Sequence, residues 1–215
     1  RFHHGTNPAR AQSIAELRQL IARHARADMS TPIAGVMVGR HDVSVWEPSM
    51  SGTVMALIVQ GTKRLALGDL VYEYGAGQYL VASLDLPVSG QFLDASPDAP
   101  ALGFGLVLDP ASIAELLLQA GSDGARTGAG APPVSMLVSD ASSALLEAVL
   151  RLLRLLDSPR DIPVLAPLLK REILWRLMMG EQGAAVRQLG LANSNLSHIA
   201  RAVRWIREHY AHAFR

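Results

Sequence analysis

Between Ile33 and Leu108 short apolar runs alternate with turn residues, and this constrains the fold more than any other feature of the chain. The runs cover residues 36–38, 54–60, 63–67, 70–74, 78–83, 88–94 and 102–108, each of strand length. Gly61-Thr62, Gly68-Asp69, Gly75-Ala76-Gly77, Pro87, Ser96-Pro97-Asp98 and Asp109-Pro110 punctuate them. Gly68-Asp69 between two such runs is a two-residue hairpin signal. Many closely spaced short strands predict an antiparallel sandwich or barrel. A small sheet that rolls up leaves few unpaired edges and encloses a cavity.

The flanks have helical texture. Residues 8–28 place Ile14, Leu17, Ile21 and Ala25 on one stripe, with Asn7-Pro8 as a start signal and Met29-Ser30-Thr31-Pro32 as a break. Pro110 opens a helix to Ala120, with Gly121 just past its end. Residues 122–133, rich in Gly, Ala and Pro, predict a loop, and residues 136–138 a short returning strand. Ser139 or Asp140 caps a leucine-rich helix to Leu156, which Asp157-Ser158-Pro159 ends. Asp161 caps another helix to Met179, with Pro163 and Pro167 in its first turn, where a missing N–H costs little. The short turn between them predicts an antiparallel helical hairpin. Residues 183–195 read as a linker. Residues 196–214 form a last amphipathic stretch: Ile199, Ala202, Val203, Ile206 and Tyr210 share one face, and Arg201, Arg204 and Arg207 the other.

Composition bounds the function. The 215 residues are 49% hydrophobic and 18% charged, with a mean hydropathy of +0.20. That suffices for a buried core and leaves an apolar surface suited to a partner. No apolar run reaches the length of a membrane span, and the start has no secretory pattern. The absence of cysteine excludes disulfides and thiolate metal sites and fits a cytoplasmic protein. The net charge of +1 is far from the basic footprint of a free-standing nucleic-acid binder. No function attaches to the opening Arg1-Phe2-His3-His4-Gly5.

The run Ile199-Ala-Arg-Ala-Val-Arg-Trp-Ile-Arg-Glu-His-Tyr210 resembles the opening helix of the DNA-binding domain of AraC-type transcription regulators. Upstream, Val59-Gln60-Gly61 with Lys63, then Tyr74, Gly77, Tyr79-Leu80-Val81, Leu86-Pro87-Val88 and Leu102 to Asp109-Pro110 resemble the N-terminal domain of the same family. Leu165-Ala166-Pro167-Leu168-Leu169 with Arg171-Glu172-Ile173 extends the resemblance into the helical hairpin. It implies an α+β fold: a cupin-like antiparallel β-barrel, or double-stranded β-helix, followed by an α-helical hairpin and a terminal helix. The implied segments are an N-terminal helix (1–30), an effector-binding barrel (31–138), a helical hairpin for dimerisation (139–192), and a linker with the first helix of a truncated DNA-binding domain (193–215). The implied function is effector sensing and dimerisation in a cytoplasmic homodimer. DNA would be engaged only through a C-terminal domain with two helix-turn-helix units beyond this chain.

Some cupin barrels are metal enzymes, so a stand-alone isomerase or metal oxygenase is the alternative. Such chemistry needs a cluster of imidazoles and a carboxylate in the barrel. The histidines are His3, His4, His24, His41, His198, His209 and His212, and none lies between Asp42 and Ser197. His41 supplies one ligand at most. Asp69, Glu73, Asp85 and Asp94 sit near turns or alternate with apolar residues, as solvated carboxylates do. The chain has no Gly-x-Ser-x-Gly elbow and no phosphate-binding glycine loop, since Gly75-Ala76-Gly77 joins two strands. The reading is therefore no enzyme, no cofactor and no metal. A third possibility is a helical interaction module with the barrel as scaffold.

An effector pocket would use the large residues of the strand region: Trp46, Met50, Tyr72, Tyr74, Tyr79, Phe92 and Phe104. Tyr72 and Tyr74 share a face of their strand, which lines either the cavity or a helix contact. Trp46-Glu47-Pro48, ahead of the first firm strand, reads as a mobile lid. Trp46→Ala or Tyr79→Ala is expected to weaken effector response more than stability. The broad apolar face of Leu145, Val149, Leu152, Leu153 and Leu156 is either core between barrel and hairpin or a dimer seam.

Overall fold

The protein is described by a computed structural model over residues 8–83, 85–125 and 136–192. Helix α1 (Pro8–His24) is followed by eight antiparallel strands: β1 (Val36–His41), β2 (Glu47–Met50), β3 (Val54–Gln60), β4 (Thr62–Leu67), β5 (Leu70–Gly75), β6 (Gln78–Ala82), β7 (Pro87–Leu93) and β8 (Ala101–Val107). Helix α2 (Pro110–Ala125), strand β9 (Met136–Asp140), helix α3 (Ser143–Arg154) and helix α4 (Ile162–Met179) complete the order, and residues 183–192 form a further helix, α5. The strands build two sheets, ordered β1-β8-β3-β6-β9 and β2-β7-β4-β5.

The turns work as their residues predict. Leu67 pairs with Leu70 across Gly68-Asp69. Gly68 alone of the two has a positive φ, +57°, the pattern of a type II′ hairpin. Gly77 turns β5 into β6 at φ +81°, and its carbonyl accepts the Arg10 Nη2 donor at 2.8 Å. Glu47–Met50 is a strand rather than a loop, paired antiparallel with Pro87–Gly90. It lies at the edge of its sheet, where Pro48 removes no ladder bond that the sheet needs.

One face of the five-stranded sheet carries the main core. Val38, Phe104, Leu57 and Tyr79 stand side by side across β1, β8, β3 and β6. They are buried beneath Leu17 and Ile21 of α1 and Leu146 and Leu153 of α3. Each such side chain contributes about 1.5–3 kcal/mol on burial. Ser142, rather than Ser139 or Asp140, caps α3, its Oγ accepting the Leu145 N–H. A bidentate pair joins Arg154 of α3 to Glu16 of α1 at 2.6 and 2.8 Å. Arg151 joins α3 to Glu172 of α4 at 2.8 Å.

Leu145, Val149, Leu152, Leu153 and Leu156 are all buried within the single chain, Val149, Leu152 and Leu153 completely. They belong to the main core, where α3 packs against α1 and α4.

Other boundaries differ from the sequence reading. Helix α1 ends at His24, and α2 runs on to Ala125 past Gly121. Leu155–Asp157 and Pro159–Asp161 are short 3-10 turns between α3 and α4. Pro167 lies inside α4 rather than in its first turn. The N–H it lacks would have bonded the carbonyl of Pro163. Residues 183–192 are helical where a linker was expected, because Ala185 and Val186 are buried and the Arg187 guanidinium caps the Met178 carbonyl. The amphipathic stretch at 196–214 lies outside the described residues.

Candidate functional site

Strand alternation decides which side chains meet between the two sheets. In the four-stranded sheet Lys63 stands beside Tyr74 on β5 and Phe92 on β7, and Leu65 beside Tyr72 and Gly90. Across from them, the matching face of the five-stranded sheet carries Met37, Gly39 and His41 on β1, Gly103 and Gly105 on β8, and Ala56 on β3. Gly39, Ala56, Gly103 and Gly105 on the five-stranded sheet leave room opposite the large groups of the other sheet. The result is a cavity of about 320 Å³, the size of a small-molecule site. A Cβ added at Gly105 would come 3.0 Å from Met37 Cε, and one at Gly39 would come 2.9 Å from His41 Nε2.

The wall is largely apolar. Met29, Met37, Met50 and Met136 border it, and their flexible thioethers adapt to irregular shapes. Met29 holds a left-handed backbone at φ +59°, uncommon for a residue with a side chain. Its carbonyl accepts the Val38 N–H at 3.1 Å, which fixes the segment against β1.

Polar character is concentrated at one end. The His41 ring stacks on Phe92 with centroids 4.2 Å apart, and Lys63 Nζ lies 5.0 Å from the same ring's centroid. The lysine stem passes over Gly90, where a Cβ would sit 3.2 Å from Lys63 Cε. Lys63, His41 and Phe92 also border an adjoining pocket of about 210 Å³ that reaches Val45 and Glu47. The cation therefore stands at the neck between the two spaces. Burial lowers the Lys63 ammonium pKa, and the Glu47 charge opposes this. Burial, then the Lys63 charge, lowers that of His41, against Glu47 and Asp42. Burial pushes the Tyr74 phenol up.

The structure brings Met50, Tyr74 and Phe92 together in the cavity. Phe104 borders it through its place on β8, but its ring points to the helix-covered face with Val38 and Leu57. Tyr79 is on that same face, packed toward Gly180, and belongs to the main core. Tyr72 shares the inward face with Tyr74 and packs on the smaller core between the sheets, without reaching the cavity wall. Trp46 is half-exposed ahead of β2, and the Glu47-Pro48 that follow it are paired strand. Lys63, Met29, Met37 and Met136 border the cavity but were not among the pocket residues selected from the sequence. The signal for Lys63 is that it alternates with Leu65 and Leu67, so one strand face carries all three.

Two further observations bear on chemistry. Among the described residues, no group of three or more His, Asp or Glu is close enough to hold a metal. A cleft of about 430 Å³ between β8, α2 and α4 contains Glu115 and Arg171. There the Arg171 guanidinium already bonds Glu115 and Gln119, so that cleft's strongest polar groups are satisfied.

Among the described residues, nine antiparallel strands form two sheets with a hollow between them and helices over the outer face of the larger one. The model of the AraC-type transcriptional regulator N-terminus matches residues 14–185, and the chain belongs to that family. Solved structures of similar fold include an apo ToxT variant from Vibrio cholerae, with 8% identity and a TM-score of 0.47, covering 71% of this chain and 58% of that one. Wild-type ToxT bound to an unsaturated fatty acid is similar at 9% identity and a TM-score of 0.42, covering 70% of this chain and 57% of that one. The AraC-like transcriptional activator CuxR is similar at 14% identity and a TM-score of 0.35, covering 86% and 66%. The chain thus spans less than two thirds of the ToxT chains it resembles. Comparison with curated protein sequences gives no match.

Proposed function

We propose that the cavity between the two sheets is the effector site of a transcription regulator, and that its occupancy controls DNA binding by a C-terminal domain. The observation that carries this is the Lys63–Phe92–His41 cluster at the neck of an otherwise apolar hollow, in a chain of this family. Apolar walls with a few converging polar groups suit binding with orientation. An effector acts by preferring one of two conformations, and its influence is limited to its differential affinity for them. The helical layer over the five-stranded sheet is the route by which that preference leaves the domain.

This reading is of a sensor rather than an enzyme. A cupin-like isomerase or oxygenase would call for a cluster of metal ligands in the hollow, and His41 is the one imidazole there. The working form is a cytoplasmic homodimer. No helix among the described residues is long and apolar enough to cross a membrane. With the α3 leucines buried, the dimer contact falls to the outer face of α4, where Val164, Leu165 and Leu168 are exposed at helical spacing.

The test is a thermal-shift screen of small molecules against the wild type and Ala56→Leu, which fills the cavity from β3. A ligand that stabilises the wild type and loses its effect in Ala56→Leu supports the site. A ligand that stabilises both equally contradicts it.

A further inference from the structure

Lys63 combines three properties not found together elsewhere among the described residues. It is inward-facing by register, since its cross-strand neighbours Tyr74 and Phe92 both line the cavity. It is held there by construction: the stem crosses the gap left by Gly90, and a Cβ at that position would press on Lys63 Cε. Its Nζ rests against the Phe92 ring with no ion pair to any described carboxylate. The titratable groups around it are His41 beside the same ring, Tyr74 on β5 and Glu47 on the edge strand. Glu47 is near enough to act through space on Lys63 but lies beyond ion-pair reach.

A partly buried ammonium that rests on an aromatic face, with no ion pair to a described carboxylate, is incompletely compensated. An entering anion would supply the missing partner through charge-assisted hydrogen bonds, which are about twice as strong as neutral ones. One ammonium balances one negative charge, so a monoanion fits better than a phosphate dianion. The rest of the cavity, with four methionines and the Phe92 ring, calls for an apolar or aromatic body behind that charge.

We propose that the effector is an organic carboxylate whose anionic group meets Lys63 Nζ at the neck, with His41 as second donor, and whose apolar body fills the cavity. This rests on the reading of the cavity as the effector site. It adds the chemical class of the ligand and the residue that selects it.

The experiment measures binding by calorimetry at pH 8 for benzoate, 2-naphthoate and octanoate, each beside its uncharged primary amide. The proteins are the wild type, Lys63→Met, Lys63→Arg and Ala56→Leu. At least one carboxylate is expected to bind the wild type about 10- to 100-fold tighter than its amide, the range for a hydrogen bond to a charged group. Lys63→Met, which keeps the stem, should abolish that preference, and Lys63→Arg should retain it. Equal affinity of acid and amide overturns the proposal, as does a preference that survives Lys63→Met or the failure of all three carboxylates to bind at millimolar concentration. If Lys63→Met does not fold, the acid–amide comparison in the wild type and Lys63→Arg decides. Amides that bind the wild type and lose affinity in Ala56→Leu leave the cavity reading standing even when the charge selectivity fails. Carboxylates that bind Ala56→Leu as well as the wild type remove the cavity reading itself.

Discussion

Gln182 accepts the Val81 N–H on its side-chain oxygen at 3.1 Å, a bond between the turn after α4 and the strand β6. Its amide nitrogen donates to Ser139 Oγ at 3.0 Å and to the Tyr79 carbonyl at 3.3 Å. The residue is only 1% exposed, so all three bonds are sheltered from water. Gln182→Leu keeps the bulk and strands buried polar groups on β6 and β9, at about 1–3 kcal/mol for each group left unpaired. A lower urea midpoint with an unchanged far-ultraviolet spectrum is expected. An unchanged midpoint would mean that the helical layer is not fastened to the sheet here.

Leu152 separates core from interface. Leu152→Ala should cost about 2–5 kcal/mol in urea unfolding, as for other large-to-small changes in a core. Leu152→Asp should give insoluble or unfolded protein, because its carboxylate would be buried without a partner. A folded, soluble monomer from Leu152→Asp would restore α3 as the dimer seam.

Leu168 is 61% exposed on α4. Leu168→Glu is expected to convert a dimer into a monomer in sedimentation while leaving the melting temperature within about 2 °C, as befits a surface change. A dimer that persists in this variant places the contact elsewhere.

His41 gives stability a definite pH slope. Its pKa lies below the ordinary 6.5 in the folded chain. Just below that pH the unfolded chain binds more protons than the folded one, so stability rises with pH. The His41 contribution is complete above about 6.5 and is lost as the solution is acidified below it. His41→Gln should flatten this part of the profile in thermal unfolding at several pH values. A slope of the opposite sign in the wild type, or one untouched by His41→Gln, contradicts the assignment.

The strands were legible because local chemistry announces them. Gly61, Gly68 and Gly77 all take positive φ at the turns where they were expected. Strand β2 was not legible, since Glu47-Pro48-Ser49-Met50 has neither alternation nor β-branched residues and gains its order from β7 alone. Helix α5 was hidden by Gly183 and Gly190, which imitate a linker. Gly190 is there for contact: a Cβ would lie 2.6 Å from Ile113 Cγ2, so the glycine lets α5 approach α2. In the site, Tyr74 and Phe92 could be chosen by size, but size alone cannot tell the two faces of a sheet apart. Tyr79 and Phe104 consequently sit in the main core. Tyr79→Ala, at a buried position of that core, is expected to lower stability. Lys63 required the pairing register as well as the residue type, and only the folded sheet supplies that.

The methionine methyls report on the cavity directly. Of the seven, Met29, Met37, Met50 and Met136 border it, whereas Met55, Met178 and Met179 do not. In a carbon-13 methyl titration with 2-naphthoate, or with a ligand returned by the thermal-shift screen, the first four resonances should show the largest shifts. Shifts concentrated at Met178 and Met179, with the cavity four unmoved, would contradict a binding site between the sheets.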